Sequence, residues 1–181
     1  VGVCEKGQLF GEDVAGFNNA STNDDFTNYY ETVPANHLEP VLWAEAERMG
    51  SLVIDDANFG SERDVVKQEY RQRILANPFG EFYLDSIKNS YAVHPYKRPG
   101  IGNIAELDAS TLAEVKTFLS TFYRPDHATL VVVGDFQPNE LHDWVNKYFG
   151  AIDRPPVGIP RVTVREPPRQ EDKEIVEYSP K

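Results

Sequence analysis

The stretch at residues 17–34 reads FNNASTNDDFTNYYETVP. It contains two extended runs, residues 17–24 and residues 26–33, and the second is rich in aromatic and β-branched side chains before it stops at Pro34. The polar sequence Asn23-Asp24-Asp25 between the runs is typical of a tight turn. The stretch therefore predicts two adjacent antiparallel strands.

Helical patterns occupy most of the chain that follows. Apolar residues recur at helical spacing over residues 34–50, and Ser61 suits the N-cap of a second helix over residues 60–76. The other predicted elements are a helix over residues 3–15, a helix over 81–90, a helix that begins at Ser110 and ends at Arg124-Pro125, a buried strand over 127–134, a helix over 138–149, and strand-like pieces at 161–165 and 174–178. This order predicts an α+β fold, with a mostly antiparallel sheet and helices packed on one face.

The length of 181 residues is enough for one domain of ordinary size, or for one domain and the start of another. Prolines cluster beyond residue 151. We therefore expect one domain over residues 1–150, followed by a linker and the start of a further segment over residues 151–181. No run approaches the ~18 consecutive apolar residues of a transmembrane helix.

Charge and cysteine content exclude several classes of function. The net charge of −11 argues against sequence-independent binding to nucleic acid and to anionic membrane surfaces, because both need positive charge. The single cysteine, Cys4, excludes an internal disulfide framework and any metal site built from several cysteines. The four histidines, which are scattered singly, are interpreted as surface or capping residues, namely His37, His94, His127 and His142.

Two glutamates form the most informative local pattern. Glu62 and Glu69 are seven residues apart, so on a helix they share one face two turns apart. Val65 and Val66 lie between them, which places the carboxylates on an apolar stripe that would need a cation, a metal or strong donors. The alternative is a solvated helix face on which neighbouring arginines and lysines pair with these carboxylates.

The small polar side chains of residues 16–22 suit an edge strand whose backbone can pair with another chain. An ordinary edge strand beside a turn is the alternative. From composition and spacing alone, the two interpretations remain open.

A set of short motifs follows a fixed order from about residue 16 to 150. They are Asn19-Ala20-Ser21-Thr22 with Asp25, Thr27 and Tyr29-Tyr30-Glu31-Thr32-Val33-Pro34; Leu42-Trp43 with Glu45 and Glu47-Arg48-Met49; Glu62-Arg63 with Val65-Val66 and Glu69; His94-Pro95-Tyr96; Ile101-Gly102; Phe122-Tyr123-Arg124-Pro125; and Leu130-Val131-Val132-Val133-Gly134-Asp135. In this order and spacing, the chain resembles the pitrilysin/insulinase family of zinc metallopeptidases, the inverse zincins.

The resemblance implies roles for four residues. Glu69 matches the family's third zinc ligand, and Glu62 matches a second acidic residue that supports the ligands without binding the metal. Asn19 and Ala20 match the edge strand that pairs with the substrate backbone. The implied fold is one half of a clamshell peptidase.

The chain departs from the family in one respect. The family's His-x-x-Glu-His helix, which supplies two zinc ligands and the general base, has no match here, and by the family's spacing it would lie upstream of Val1. A catalytic zinc site needs three protein ligands and a water. We therefore expect no catalytic residue in this chain, little or no zinc binding by the chain alone, and no activity without the missing segment.

The resemblance implies a fragment of a zinc-dependent endopeptidase that hydrolyses peptides bound in extended form. Its partners would be peptide substrates and a second homologous half-domain or subunit. The alternatives are a non-catalytic scaffold or partner subunit of the same fold, and a peptide-binding module that uses the same edge strand. The presence of both Glu62 and Glu69 favours an active parent enzyme. The motifs look like those of bacterial exported peptidases, so we expect the periplasm or cell envelope, with the cytoplasm or an organelle as alternatives.

Overall fold

The computed structural model describes residues 16–176 and residue 178, and it divides into two compact units. The first unit contains residues 16–59 and 110–159. The second contains residues 60–109 and the segment from residue 160 onward. The helix predicted over residues 3–15 lies outside the described residues, and the predicted domain division at residue 150 stays a prediction.

The predicted hairpin is confirmed. β1 (Phe17–Thr22) and β2 (Thr27–Thr32) pair antiparallel in a two-stranded sheet. The backbone N–H of Asn23 donates to the carbonyl of Phe26 at 2.9 Å and closes the turn. Within the described chain β1 pairs only with β2, so the opposite edge of β1 carries no strand.

Helices make up most of the remaining described structure. They are α1 (Leu38–Gly50), α2 (Asp56–Tyr70), α3 (Gly80–Ser90), α4 (Ile104–Ala109), α5 (Leu112–Phe122) and α6 (Pro138–Phe149). A π-helical turn over residues 71–75 extends α2. The fold is α+β with antiparallel strands, as the sequence predicts, although the sheet of the described residues has only two strands. No helix in the described ranges is long and apolar enough to cross a bilayer.

The core of the first unit lies between α1 and α6. Val41, Leu42 and Ala46 form the buried face of α1. On the same pair of helices, the carboxylate of Glu39 accepts a hydrogen bond from the hydroxyl of Tyr148 at 2.7 Å. Apolar burial and this polar contact together hold α1 against α6.

A buried arginine follows α5. Arg124 is 5% exposed, and its Nε and Nη2 donate to the two carboxylate oxygens of Asp126, each at 2.7 Å. Its Nη1 donates to the carbonyl of Val157 at 2.8 Å, and Nη2 also donates to the carbonyl of Pro155 at 3.0 Å. One guanidinium therefore joins the end of α5 to a segment about 30 residues further along the chain, and the charge of Asp126 compensates its own.

In the second unit, the chain turns sharply between the π-helical turn and α3. Ile74 is buried there, and a Cβ on Gly80 would lie 2.2 Å from the carbonyl oxygen of Ile74. Only glycine fits this approach, so Gly80 allows α3 to begin directly against the preceding turn.

Residues 160–176, called the strap below, contain no helix or strand but are attached to the end of α3. The Glu166 carboxylate accepts the backbone N–H groups of Ala92, Val93 and His94 at 2.5, 3.0 and 2.8 Å. Further along the strap, Arg169 donates to the carbonyl of Ser90, and Lys173 donates to the carbonyl of Asn89. The negatively charged Glu166 thus contacts backbone N–H groups, which carry partial positive charge. The positively charged Arg169 and Lys173 contact carbonyls at the C-terminal end of α3, which carry partial negative charge.

The predicted buried strand over residues 127–134 is wrong. A 3-10 turn covers Pro125–His127, and the residues after it form no strand in the described chain. Val131 is 76% exposed and Val133 is 91% exposed. A run of valines favours a strand only when a neighbouring strand supplies hydrogen bonds and burial, and the described residues supply neither.

Other sequence predictions need smaller corrections. α2 begins at Asp56 rather than near residue 60, because Asp55 Oδ1 accepts the N–H of Asn58 at 2.8 Å and caps the helix. Thr111, not Ser110, caps α5, through a reciprocal capping box with Glu114. The helix α4 was not predicted, and the strand-like pieces at 161–165 and 174–178 form no strand among the described residues, which offer them no pairing partner.

Replacing Arg124 with lysine tests the role of its guanidinium. Lysine keeps the charge, but its three donors lie on one nitrogen and cannot reproduce the four hydrogen bonds of the planar guanidinium, so we expect the free energy of unfolding to fall by about 2–4 kcal/mol in a denaturant titration. Arg154→Lys is the matched control, because Arg154 is an exposed cation that contacts the same Asp126 at 2.9 Å. The control is expected to lose less than about 1 kcal/mol. Equal losses in the two variants would contradict the assignment.

Replacing Glu166 with glutamine tests the attachment of the strap. The three N–H contacts lower the pKa of Glu166 below its ordinary value of 4.5, so its stabilising contribution is present above that value and is lost as the pH falls through the lowered pKa. At neutral pH we expect Glu166→Gln to speed amide exchange at residues 92–94 by roughly tenfold, whereas at a pH below the lowered pKa of Glu166 the difference from the unmodified protein should disappear. Glu171→Gln, on the same strap, is the control and should leave these amides unchanged.

Candidate functional site

The predicted substrate-binding residues lie on the exposed ribbon of the first unit. Asn19 is directly opposite Tyr30, and Ala20 is directly opposite Tyr29. The Asn19 side-chain oxygen accepts the N–H of Ala20 at 2.8 Å, which is a local contact within β1. Because β1 has a strand on one side only within the described residues, its other edge offers backbone donors and acceptors to an extended chain.

Tyr29 connects this ribbon to two helices of the same unit. Its hydroxyl oxygen lies 2.8 Å from that of Tyr123, at the end of α5. The guanidinium of Arg48, on α1, lies 4.0 Å from the centroid of the Tyr29 ring, and Arg48 also pairs with Glu45. We refer to Tyr29, Arg48 and Tyr123 as the tyrosine–arginine cluster.

The electrostatics of the tyrosine–arginine cluster follow from partial burial. Burial, followed by the hydrogen bond with Tyr123, raises the pKa of Tyr29 to about 12, so the phenol is protonated at neutral pH. Burial also lowers the pKa of Arg48, and the nearby groups of Tyr29 and Glu31 oppose that shift. A protonated phenol under a cation favours stacking of the guanidinium on the ring.

The two predicted glutamates lie on α2 in the second unit. Glu69 is 39% exposed, and its carboxylate pairs with Arg73 at 2.9 Å, one turn further along. Glu62 is exposed, two turns before Glu69. Between them on α2, Lys67 contacts Asp64 at 3.3 Å and Asp108 at 2.6 Å.

The apolar stripe expected between the glutamates is not buried in the described structure. Val65 is exposed, and α2 has no buried residue. The helix is amphipathic only weakly, because Glu62 and Glu69 share the face of Val65 and Val66. Within this chain, the geometry of Glu69 and Arg73 matches the ion-paired helix face that the sequence left as the alternative.

The described residues do not by themselves fit a catalytic zinc ion. No group of three His, Cys, Asp or Glu side chains in the described ranges is arranged to hold a metal. Three histidines make local contacts instead: His94 Nδ1 accepts the N–H of Tyr96, His127 Nδ1 lies 3.0 Å from the carbonyl of Phe122, and His142 contacts Asn146. Glu69 is one carboxylate, and a zinc site needs more ligands than the described residues bring together.

Comparisons with known proteins agree on one family. A family model described as "Peptidase M16 inactive domain" matches residues 109–181. The zinc protease PqqE of Helicobacter pylori is 34% identical over 137 residues, which cover 76% of this chain and 31% of that protein. The crystal structure of a protease from Helicobacter pylori superposes with a TM-score of 0.81 at 33% identity, covering 86% of this chain and 38% of that one. The chain belongs to the M16 family of peptidases.

Within the M16 family, this chain is also similar to longer eukaryotic enzymes. The insulin-degrading enzyme of Bos taurus is 26% identical over 153 residues, which cover 81% of this chain and 15% of that enzyme. The chain spans about a third of the length of PqqE and a smaller share of the insulin-degrading enzyme. The predicted family is therefore confirmed, and the relatives named here include zinc proteases.

Sequence reasoning missed the tyrosine–arginine cluster as a unit. Its three members belong to motifs that the sequence analysis quoted, in β2, in α1 and before Arg124. That membership was the available signal, but Tyr29 and Tyr123 are 94 residues apart, so no local pattern predicts their contact.

Replacing Glu69 with glutamine tests whether its carboxylate contributes to the stability of the fold. The ion pair with Arg73 is exposed, so we expect Glu69→Gln to change the free energy of unfolding by less than about 1 kcal/mol, measured by denaturant titration. Arg73→Gln removes the same ion pair without altering the carboxylate and should give the same small change. A loss of several kcal/mol in Glu69→Gln alone would mean that Glu69 has a structural role inside the fold.

Proposed function

We propose that this chain is the substrate-strand part of a zinc-dependent endopeptidase that hydrolyses peptides bound in extended form. The observation that carries the proposal is the unpaired edge of β1 in a chain of the M16 family. M16 peptidases act on peptides and pair two homologous halves. An extended peptide would add to β1 as a further strand beside Asn19 and Ala20, where backbone hydrogen bonds give affinity for many sequences.

Glu69 supplies one metal ligand of the intact enzyme in this proposal, and Glu62 supports it. The support is their spacing on one face of α2 and their match to the family motif. Because Glu69 is exposed, its carboxylate is accessible to a metal ion whose other ligands come from elsewhere in a longer protein. Binding of that ion would replace the ion pair between Glu69 and Arg73. The remaining zinc ligands and the general base belong to a His-x-x-Glu-His segment outside these residues, so the chain alone would be inactive.

A non-catalytic partner subunit of the same fold is the second candidate. The observation that favours it is the family model described as an inactive domain, which matches residues 109–181. That range contains neither Glu62 nor Glu69, and these carboxylates favour the catalytic candidate. For the intact protein we propose the periplasm or cell envelope, on the motifs that look like those of exported bacterial peptidases.

The proposal is tested on the intact protein with a quenched-fluorescence peptide assay and calorimetric zinc titration. We expect peptide hydrolysis that a chelator removes and zinc restores. Glu69→Gln should abolish hydrolysis and weaken zinc binding by at least about 10-fold, because one ligand is lost. Arg73→Gln should retain activity, since it removes only the ion pair.

The 181-residue chain is the comparison sample. We expect it to hydrolyse no peptide. If the 181-residue chain hydrolyses peptides and Glu69→Gln abolishes that activity, the catalytic residues lie within this chain, and their assignment to another segment is wrong. Absence of hydrolysis by the intact protein, with zinc binding unaffected by Glu69→Gln, would support the non-catalytic subunit.

A further inference from the structure

The position of Tyr29 relative to the proposed substrate strand is fixed by the strand register. Ala20 and Tyr29 are directly opposite each other in the β1–β2 pair. Directly opposed residues project from the same face of a sheet, so the Tyr29 ring lies beside Ala20 on one face of the ribbon. Asn19 and its partner Tyr30 project from the other face.

The contacts of Tyr29 attach its face of the ribbon to the helices of the first unit. The phenol reaches Tyr123 at the end of α5, and the ring of Tyr29 packs against that of Tyr123 edge to face, with centroids 6.4 Å apart. The Arg48 guanidinium stacks on the same ring from α1. Two different helices therefore contact β2 through one side chain.

This attachment matters because a two-stranded ribbon is only marginally stable in water. β1 has no strand partner other than β2 in residues 16–176, so the position of β1 depends on how firmly β2 is held. A strand that receives a peptide binds it more tightly when it is already held in the bound geometry, because less conformational entropy is lost on binding.

We propose that Tyr29 is a positioning residue for the peptide: through Tyr123 and Arg48 it holds the β1–β2 ribbon so that the open edge of β1 is preorganised to accept an extended chain. The inference rests on the proposed function for its substrate. It assigns to the tyrosine–arginine cluster an effect on substrate affinity rather than on bond cleavage. The raised pKa of Tyr29 agrees with the geometry, because burial and the hydrogen bond with Tyr123 both raise it.

The chain provides a matched control for the test. Tyr29 and Tyr30 are neighbours on β2, have similar exposure at 39% and 42%, and differ in the face from which they project. In the intact protein we expect Tyr29→Phe to raise KM for an extended peptide about fivefold, with kcat within about twofold of the unmodified value. Tyr123→Phe should give the same change, and Tyr30→Phe should give none.

The double variant Tyr29→Phe/Tyr123→Phe identifies the shared hydrogen bond. Because either single change already removes it, we expect the KM of the double variant to stay within about twofold of the single variants. A KM increase in the double variant equal to the product of the two single-variant increases would overturn the proposal. An unchanged KM in Tyr29→Phe, an equal rise in Tyr30→Phe, or a fall in kcat without a change in KM would overturn it as well.

Amide hydrogen exchange of the peptide-free protein gives a readout that needs no enzymatic activity. We expect Tyr29→Phe to speed exchange of the β1–β2 amides about fivefold, and Tyr30→Phe to leave them unchanged. If the intact protein hydrolyses no peptide, the proposed function fails, and binding of an extended peptide measured by fluorescence anisotropy replaces KM. Faster exchange with weaker peptide binding in Tyr29→Phe would then support the positioning role, whereas unchanged exchange or unchanged binding would overturn it.

Discussion

The buried guanidinium of Arg124 is the interaction on which the first unit depends. Its four hydrogen bonds join the end of α5 to the 3-10 turn that follows and to the segment around residues 155–157. A guanidinium suits this position because its donors point in fixed, divergent directions and its charge does not depend on pH. The preceding residue, Tyr123, contacts Tyr29 on β2. Two consecutive residues after α5 therefore contact both the ribbon and the segment that follows α6.

The two units use polar contacts in different ways. In the first unit, a buried cation organises neutral carbonyls and one carboxylate around it. In the second unit, the strap uses exposed charges that match the polarity of the backbone at the end of α3. The first arrangement resists salt because little water reaches it, whereas the second is screened as ionic strength rises.

The sequence predicts those parts of the fold that local patterns determine. The hairpin follows from the turn residues between two β-rich runs, and α6 follows from Pro138 and a clear apolar stripe. The strand over 127–134 fails because its valines require a partner strand, which no local pattern supplies. α4 was missed because six residues are too few for helical periodicity to stand out.

The candidate site also has parts that the sequence predicts and parts that only the tertiary structure reveals. The open edge of β1 was predicted from its composition and from the family motif. The helix that carries Glu62 and Glu69 was predicted with Ser61 as its N-cap, and the shared face of the two glutamates was predicted from their spacing. The ion pair of Glu69 with Arg73 was not predicted as such, because several cations lie within one turn of each carboxylate. The tyrosine–arginine cluster required the tertiary structure, since its members come from three separate elements.

The exposed valines after Arg124 have a consequence for the behaviour of this chain in solution. Val131 and Val133 are exposed and have no strand partner in the described residues, and exposed β-prone segments of this kind allow copies of a chain to pair edge to edge. The net charge of −11 opposes such association, because like-charged molecules repel. Acidification protonates the carboxylates, and salt screens them. The net charge is close to zero near the isoelectric point of about 4.8, so we expect this stretch to favour self-association near that pH or in concentrated salt, and not at neutral pH and low ionic strength.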